Sequence, residues 1–531
     1  LGQERAAENR VYCFNVKKNN NKWSWMAEIK SVPDFKCISP KQINIYIPTK
    51  NTGVGISIFA QIPRIKVPIP LFILFRAMGI VTDKDICNHI VLSVEQVKSR
   101  RIMENLRGAI ENASEYLTQD ECIDYITTHA MYTPINMDPE KGREKKREFT
   151  VNVLNNDIFP HCHNAKQKAY FLGYMVHKLL LCMNGFIPTD DRDSYINKRI
   201  DLTGTLLNNL FRNYFNRLVK DMQKHVNREI NNGSWRSTDD YMRIINKTNI
   251  YKIIKSTTIE NGLKRALATG DFGIKHTNRN KVGVAQVLSR LTYTSSLSHL
   301  RRINTPIDKS GKLIPPRKLH NSSWGFLCPS ETPEGQSVGV VKNISYMSHI
   351  TTPSHSAPLR EYVSDYIIPI DDRDTTEYLN GVKVFVNGAW IGNAIEPVAL
   401  YNLLKKQKGK GIINIYTSVL FNYRDKEIRV CNDAGRLTRP VFRVEDGELV
   451  FTDEIVKKVR KKEWRWDDII TDAVTGKSIM EYIDPEEQNS SIIAMTSKEL
   501  ENYHNKLNVM KRYTHCEIHP STILGVLASC I

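Results

Sequence analysis

The sequence predicts a multidomain α+β protein in which helical and β-rich segments follow one another along the chain. Residues 10–75 alternate polar and apolar side chains, most clearly from Gln42 to Ile47, and this period of two is typical of β-strands. Short strands return in residues 366–440, where they surround a Leu- and Lys-rich helix near 397–408. Between these two β-rich parts, apolar residues recur at helical spacings.

The predicted helices fall in residues 93–128, 165–185 and 206–226. In the third, one face carries an apolar stripe, which we interpret as core or domain interface rather than as a ligand site. The stripe consists of Leu207, Phe211, Tyr214, Phe215, Leu218, Met222 and Val226. The polar run 231–234 ends this pattern. The basic run 141–147 follows several loop-forming residues and predicts a solvated loop.

Length and charge narrow the class of protein. A chain of 531 residues suggests about three or four domains. The 75 Lys and Arg against 57 Asp and Glu give a net charge of +18, which favours a polyanionic partner such as nucleic acid. A soluble protein with a basic bias and no such partner is the alternative that charge alone leaves open.

Cysteine usage and apolar content predict an intracellular protein with no membrane partner. None of the ten cysteines forms a C-x-x-C pair, which argues against a zinc ribbon or a disulfide framework and favours buried, reduced thiols. The most apolar stretch, Val67–Phe75, is too short to cross a bilayer and contains Pro68 and Pro70.

The segment from Thr294 to Asn343 is the densest in residues suited to function. It combines cations with loop-forming Gly and Pro, and long ordered loops often carry function. Cations on such loops can approach phosphates closely, although an ordinary basic surface loop has the same composition. The cations are Arg301, Arg302, Lys309, Lys312, Arg317 and Lys318.

Two clusters have the residue types of a metal site. The first is His161-Cys162-His163, which has no second ligand pair at a matching spacing. The second is His515, Glu517 and His519, whose alternate spacing places them on one face of a β-like stretch. We expect a structural or surface role for the first cluster. We expect no metal at the second, because a catalytic metal needs further ligands.

Two other motifs are weak. Gly53-Val54-Gly55 lacks the third glycine of a dinucleotide-binding loop. Lys457–Trp466 interleaves Lys, Arg and Trp, which suits stacking on bases, but a solvated helix face is the favoured interpretation.

The segment W-G-F-L-C-P-S-E-T-P-E-G-Q at 324–336 resembles the fork region of the second-largest, β-like subunit of eukaryotic-type multisubunit DNA-directed RNA polymerases. T-H-C-E-I-H-P-S-T-I-L-G-V at 514–526 resembles the same family. Further resemblances occur in order along the chain: Q-E-R-A-A-E-N at 3–9, F-R-A-M-G-I at 75–80, F-L-G-Y-M-V-H-K-L-L-L-C at 171–182, D-D-R-D at 190–193, A-L-A-T-G-D-F-G at 266–273 and V-F-V-N-G-A-W-I-G at 384–392.

The resemblance implies a division into domains. It places part of the protrusion at 1–9 and 201–270, the lobe at 10–200, the fork at 271–350, the external domains at 351–513, and the start of the hybrid-binding domain at 514–531. The chain begins at Leu1 rather than Met and stops at Ile531 within an apolar run, so we expect an internal fragment.

The implied activity is transcription, in which an RNA 3′-hydroxyl attacks the α-phosphate of a nucleoside triphosphate. The implied partners are the largest subunit, other polymerase subunits, template DNA, the RNA transcript and nucleoside triphosphates. The resemblance assigns Mg²⁺ mainly to the largest subunit and a Zn²⁺ site to a part of the β-like subunit beyond Ile531. No catalytic or metal-binding residue is therefore expected in this chain, and alone it is expected to be inactive.

The resemblance also implies positions near the active centre. Gln286, Arg302 and Arg317 would line the pocket beside the RNA–DNA hybrid, where cations neutralise phosphates. Lys309 and Lys312 would lie on a fork loop beside the downstream duplex. The carboxylate of Glu334 would lie near the reacting centre, where it can pair with Arg317. For each of these residues, loop architecture is the simpler alternative, as it is for Glu331 and Arg301.

A rival hypothesis is a non-catalytic nucleic-acid-binding scaffold of the same fold, which the sequence downstream of Ile531 would discriminate. The richness in Asn, Lys and Ile is typical of an AT-rich genome, such as that of a giant virus or a protist. We therefore expect an intracellular location, either the nucleus or, for a virus, the cytoplasm and virion.

Overall fold

The computed structural model describes residues 1–16, 22–34, 38–50, 54–92, 95–133, 138–232, 246–273, 282–307, 311, 313–370, 381–500 and 513–530. The helices are α1 Leu71–Ala77, α2 Asp83–Ile90, α3 Gln96–Glu111, α4 Gln119–Thr128, α5 Pro139–Asn156, α6 Ala165–Met183, α7 Thr203–Asn232, α8 Lys247–Ile253, α9 Thr257–Thr269, α10 Tyr293–Leu300, α11 Ala357–Ser364, α12 Pro397–Gly409, α13 Asp453–Arg460, α14 Trp466–Ile470, α15 Pro485–Asn489 and α16 Val526–Cys530. Short 3-10 helices occupy Tyr195–Asn197, Pro315–Arg317, Asn321–Ser323, Gly335–Ser337 and Pro520–Ile523.

The strands are β1 Gly2–Ala6, β2 Tyr12–Asn15, β3 Trp23–Ser31, β4 Lys41–Pro48, β5 Phe59–Gln61, β6 Ile69–Pro70, β7 Lys198–Asp201, β8 Arg302–Asn304, β9 Val341–Asn343, β10 His349–Ile350, β11 Ile367–Pro369, β12 Val382–Val386, β13 Ala389–Ala394, β14 Ser418–Asn422, β15 Glu427–Cys431, β16 Leu437–Glu445, β17 Glu448–Leu449, β18 Met480–Ile483, β19 Ile493–Ala494 and β20 His515–Cys516. They form sheets ordered β7-β1-β8-β9, β2-β3-β4-β5-β6, β11-β13-β12-β15-β14 and β10-β16-β20-β19, with β17 and β18 also paired to β16. The predicted α+β multidomain fold is confirmed.

The antiparallel sheet β2–β6 confirms the period of two. Ile43, Ile45 and Ile47 in β4 are buried, whereas Asn44 and Tyr46 between them are only partly buried. The buried side chains belong to one hydrophobic core together with most of α6. This alternation places one face of the sheet on the helices and leaves the other nearer to solvent.

The helix predicted over 93–128 is divided into α3 and α4. A capping box begins α4: the Oγ1 of Thr118 accepts from the backbone N–H of Glu121 at 3.4 Å, and the Glu121 carboxylate accepts from the N–H of Thr118 at 3.1 Å. This exchange satisfies two backbone donors at the helix start, so the chain begins a new helix there. The helix predicted over 165–185 is α6, as expected.

The basic run 141–147 is helical, so the loop prediction was wrong. It lies in α5, which begins with Pro139 at its first position, where the missing N–H of proline costs nothing. Arg147 pairs with Asp120 at 2.5 Å and lies 3.6 Å from Asp124, which ties α5 to α4. Most of the run is nonetheless exposed, as a solvated face should be.

The apolar stripe of α7 is only partly buried. Leu206 and Leu210 form a small core with residues of α9, and Tyr214 packs against it. In contrast, Leu207 and the stacked pair Phe211 and Phe215 are exposed, so these three are not core residues, and the domain interface stays a prediction for them. The face that packs on α9 is rotated by about one residue from the stripe.

The sheet β7-β1-β8-β9 joins segments that are far apart in sequence, and the buried carboxylate of Glu4 lies at its centre. Glu4 is 4% exposed and accepts from Thr305 Oγ1 at 2.7 Å. Lys342 Nζ lies 3.1 Å and Lys198 Nζ 3.4 Å from its two oxygens. The hydroxyl of Tyr195 donates to it at 3.1 Å. Burial alone would raise the pKa of Glu4, but the two lysines outweigh this and hold the pKa below its usual value.

The cysteines that the structure describes are free thiols, and most are buried, as predicted. Burial raises the pKa of Cys162 and of Cys431 to about 12, which keeps both protonated. Among the described residues, no helix has both the length and the apolarity that a membrane crossing requires.

Candidate nucleic-acid interface

The candidate residues of the fork segment are placed by α10, by strands β8 and β9, and by two 3-10 helices. Thr292 caps α10 by accepting from the N–H of Ser295 at 3.1 Å. The helix ends at Leu300, and the chain turns directly into β8, where Arg302 lies opposite Asn343 of β9. On its other side β8 runs parallel to β1. Arg302 therefore begins a strand that has a neighbour on both sides.

Gln286 and Arg302 are brought together around His299, which the sequence had not singled out. The N–H of Ser289 donates to Nδ1 of His299 at 3.0 Å, so Nε2 carries the proton and donates to Oε1 of Gln286 at 3.0 Å. Burial lowers the pKa of His299, and the positive charge of Arg302 lowers it further. The ring is thus a neutral donor that fixes the Gln286 amide. Gln286 itself is exposed and also donates to the carbonyl of Gly283 at 3.1 Å.

Arg302 has a half-buried guanidinium with no partner among the residues that the structure describes. It takes part in no ion pair, and its Nε is buried without a hydrogen-bond acceptor. A charged donor left unsatisfied in this way carries a free-energy cost. An acceptor supplied from outside the described chain would remove that cost.

Arg317 has the opposite environment, because its guanidinium is engaged by backbone carbonyls. Nη1 donates to the carbonyls of Gln336 at 2.6 Å and Val338 at 3.1 Å, and Nη2 donates to that of Gly311 at 3.4 Å. The backbone also comes close: a Cβ built on Gly339, whose φ is +68°, would lie 2.1 Å from the carbonyl oxygen of Arg317. Arg317 therefore holds the 336–339 loop against the 3-10 helix that contains it.

The expected pairing of Glu334 with Arg317 is absent. Glu334 is exposed and precedes the 3-10 helix Gly335–Ser337, and no ion pair joins the two side chains, both of which the structure describes. Lys309 and Lys312, predicted beside the downstream duplex, lie outside the described residues.

Glu331 and Arg301 have structural roles, in agreement with the simpler interpretation given for them above. Glu331 accepts a hydrogen bond from the buried hydroxyl of Ser298, which ties the E-T-P-E-G turn to α10. Arg301 donates to the carbonyls of Ser345 at 2.6 Å, Tyr346 at 3.1 Å and Ser348 at 3.1 Å. Ser298 and His299 both belong to α10. The only sequence signal for their roles is that they follow the helix cap Thr292 and therefore lie on this helix.

The two possible metal clusters are occupied by other interactions. His161 is buried, bonds Ser31 through Nδ1 at 2.6 Å and has its pKa lowered to about 3, chiefly by burial. Glu517 is buried and makes a two-pronged ion pair with Arg439, at 2.6 and 2.8 Å. His515 lies 3.2 Å from Glu481. Within the described ranges, no group of three or more His, Cys, Asp and Glu side chains could hold a metal ion.

Four family models match the chain in order. They are RNA polymerase Rpb2 domain 2 at residues 7–201, domain 3 at 286–350, domain 4 at 384–445 and domain 5 at 466–520. The domain 3 match contains Gln286, Arg302, Arg317 and Glu334.

Curated relatives align along the whole chain. A protein of Encephalitozoon cuniculi named DNA-directed RNA polymerase II subunit RPB2 is 38% identical over 100% of this chain and 44% of its own length. DNA-directed RNA polymerase II subunit 2 of Arabidopsis thaliana is 36% identical with the same coverage. DNA-directed RNA polymerase subunit 2 of Acanthamoeba polyphaga mimivirus is 30% identical over 97% of the chain and 44% of that protein. The chain spans less than half the length of these relatives. Four consecutive domain matches and alignment along the full chain lead to one conclusion: the chain belongs to the RNA polymerase Rpb2 family, that of the second-largest, β-like subunit.

Proposed function

We propose that the chain acts as part of the second-largest subunit of a DNA-directed RNA polymerase and takes part in templated RNA synthesis. Within that enzyme, the fork segment 271–350 positions the RNA–DNA hybrid and the downstream DNA beside the active centre. Membership of the Rpb2 family and the names of the relatives support the activity. The net charge of +18 supports a nucleic-acid partner.

The observation that carries this proposal is the unpartnered guanidinium of Arg302. Its strand β8 is fixed by hydrogen-bonded neighbours on both sides, so the side chain is held in place without being neutralised. A phosphate oxygen of the hybrid would supply the missing acceptor. Arg suits this role because its planar fork donates two parallel hydrogen bonds to a phosphate.

The other candidate residues take different roles in this proposal. Gln286, fixed by His299, presents its amide on the exposed side of the same cluster. Arg317 is a positioning residue, because it holds the 336–339 loop through backbone carbonyls. Glu334 is proposed to lie near the reacting centre. Lys309 and Lys312 remain proposed contacts to downstream DNA.

The reaction proposed for this family depends on metal ions. Because the chain belongs to the Rpb2 family, we assign Mg²⁺ to the assembled enzyme, with ligands mainly on the largest subunit. A Zn²⁺ site belongs, in this proposal, to a part of the subunit beyond Ile531. The partners are the largest subunit, other polymerase subunits, template DNA, the transcript and nucleoside triphosphates. The site of action is intracellular: the nucleus, or the cytoplasm and virion if the protein is viral.

Single-nucleotide addition by the assembled enzyme on a preformed RNA–DNA scaffold tests the proposal. Arg302→Ala should slow addition by roughly tenfold or more, since a charged hydrogen bond is worth about 1.5–3 kcal/mol and each 1.36 kcal/mol is a factor of ten. Arg302→Lys should recover only part of the rate.

Lys145→Ala is the matched control, because Lys145 is an exposed cation on α5. Its rate should stay near that of the unmodified enzyme, since a solvated charge is screened within about 8 Å at physiological salt. Equal rates for Arg302→Ala and Lys145→Ala would contradict the placement of Arg302. An assembled complex that binds the scaffold but adds no nucleotide in unmodified form would favour the non-catalytic scaffold.

A further inference from the structure

A second cationic surface lies outside the fork segment, on α13 and the turn that leads into α14. The family matches leave residues 446–465 uncovered, between domains 4 and 5. One face of α13 is apolar, and Ile455 and Val459 pack with Trp464 against a small core. The opposite face and the turn carry a cationic patch whose six members are all exposed: Lys457, Lys458, Arg460, Lys461, Lys462 and Arg465.

None of these six cations forms an ion pair with a carboxylate among the residues that the structure describes, although ion pairs are found elsewhere on the surface. Like charges four residues apart on a helix repel one another, as Lys457 and Lys461 must. The patch therefore gains stability whenever an external polyanion binds to it.

Three of the five cations in the basic run 141–147 have a partner in the same chain. Arg147 pairs with Asp120, Lys141 lies 3.9 Å from Asp138, and Lys146 donates to the carbonyl of Thr128. Charge density is similar in the two segments, and the difference is that no described carboxylate forms an ion pair with the patch, although Asp453, Glu454 and Glu463 are near in sequence.

Favourable interaction with the dipole of α13 explains the presence of only some of the cations in the patch. Cations near the C-terminal end of a helix, and acids such as Asp453 and Glu454 in its first turn, interact favourably with the helix dipole. This effect falls off within the last turn. It therefore explains Lys457, Lys458 and Arg460, but not Arg465, which lies past the end of α13.

An exposed indole adjoins the cations. Trp466, the first residue of α14, is 46% exposed, next in sequence to Arg465. Lys458 lies 5.0 Å from the ring centre of Trp464, so one cation and one indole are already in contact. A flat aromatic surface beside unpaired cations fits a chain of phosphates with planar bases better than it fits an acidic peptide, which has no bases to stack.

We infer that the cationic patch with Trp466 is a second nucleic-acid contact, which binds the phosphates of a single strand and stacks one base on the indole. This contact is separate from the fork residues and does not depend on their proposed role. Its recognition is independent of sequence, because phosphates and base faces are common to all nucleotides.

The test is binding of a fluorescent 20-nucleotide single-stranded DNA by the 531-residue chain, measured by anisotropy between 50 and 300 mM salt. The triple variant Lys457→Gln, Lys461→Gln, Arg465→Gln should lower the slope of log K against log salt by about 2, at roughly 0.7 per phosphate contact. Trp466→Ala should weaken single-strand binding by about tenfold and leave duplex binding nearly unchanged.

The matched control is Lys141→Gln, Arg143→Gln, Lys145→Gln, which removes the same net charge from exposed positions of α5. Its salt slope should be unchanged. Equal slopes for the two triple variants would overturn the inference, because net charge alone would then explain binding. Loss of poly-glutamate binding in the patch variant with unaltered DNA binding would also overturn it and identify an acidic protein as the partner. The single variant Lys461→Gln, with an expected slope change of about 0.7, keeps the test decisive if the triple variant does not fold.

Discussion

Replacing Glu4 with Gln should loosen the sheet that holds the fork strand β8. The buried carboxylate of Glu4 is shared by Lys342 of β9, Lys198 of β7 and Thr305, which follows β8. Gln has nearly the same shape but no charge, so the two ammonium groups would lose their counter-charge while staying in place. The change therefore isolates the electrostatic contribution from packing.

The expected loss is about 3 kcal/mol. Removing one partner of a buried ion pair typically costs about 3–5 kcal/mol. The lower end applies here because the side chains of Lys198 and Lys342 remain 12% and 13% exposed, so water can partly solvate them. At 1.36 kcal/mol per factor of ten, this corresponds to roughly a hundredfold increase in local opening.

Hydrogen exchange measured by mass spectrometry on peptides covering β1, β8 and β9 is the assay, because a multidomain chain has no single unfolding free energy. At pH 7 the exchange of these peptides should be about a hundredfold faster in Glu4→Gln. Glu115→Gln, in an exposed position after α3, should have no effect. Exchange in Glu4→Gln within threefold of the unmodified chain would refute the reasoning.

The pH dependence gives a second check on Glu4. Its pKa is lower in the folded protein than its usual value of 4.5, so its contribution to stability is fully present above about pH 4.5. The contribution is lost as pH falls through the folded pKa, because protonation removes the charge that the two lysines need. The local exchange protection of peptides covering β1, β8 and β9, corrected for the intrinsic effect of pH, should therefore differ between the unmodified chain and Glu4→Gln at pH 7 and converge in more acid solution.

Three further outcomes are expected. Arg317→Ala should speed amide exchange in the 336–339 loop by roughly tenfold, because it removes the hydrogen bonds to the carbonyls in that loop, and Arg317→Lys should restore only part of the protection. Arg439→Ala should destabilise its domain by about 3–5 kcal/mol in thermal unfolding, because it leaves Glu517 buried and unpaired. The pKa of His299 in the folded protein lies below its usual 6.5, so below about pH 6.5 the ring binds a proton more readily in the unfolded chain, and acid destabilises the fold. His299→Phe should therefore remove part of the stability loss that occurs in acid.

Each of these outcomes has a counterpart that would contradict it. The double variant Arg439→Met, Glu517→Leu should be much more stable than Arg439→Ala, since replacing both charges leaves none unpaired. Equal stability of the two would show that packing, rather than charge, is lost. Unchanged exchange in Arg317→Ala would remove its positioning role, and an unchanged pH profile in His299→Phe would show that its ring is not held neutral.

Local periodicity predicted the elements that are built from a single stretch of chain. The alternation of Ile43, Ile45 and Ile47 fixes which face of β4 is buried, and the spacing of apolar residues predicted α6 and α7. Periodicity failed for α5, because its basic run has no apolar stripe and its stability comes from Pro139 at the helix start and from contacts with α4. It also misjudged the buried face of α7, since the position of α9 is set by tertiary packing.

The segment that contains the candidate site could be predicted from the sequence, but the role of each residue within it could not. Motif resemblance located Arg302 and Arg317, yet both looked alike as cations on a Gly- and Pro-rich stretch. What distinguishes them is distant: the acceptors of Arg317 come from residues 6 to 21 positions away, and Arg302 has none among the described residues. The partners of Glu4 are 191 to 338 positions away, so no local pattern could mark it.

The most direct test of the central claim is crosslinking from the fork surface in an assembled elongation complex. A photoreactive amino acid at Gln286, which is exposed and adjoins the His299–Arg302 cluster, should crosslink to the RNA or template strand of the hybrid near the RNA 3′ end. The same group at Glu115, exposed on the helical part of the chain far from α10 in sequence, should give no nucleic-acid crosslink. Crosslinks from Gln286 to protein alone, with none to the hybrid, would contradict the proposal that this surface positions the hybrid.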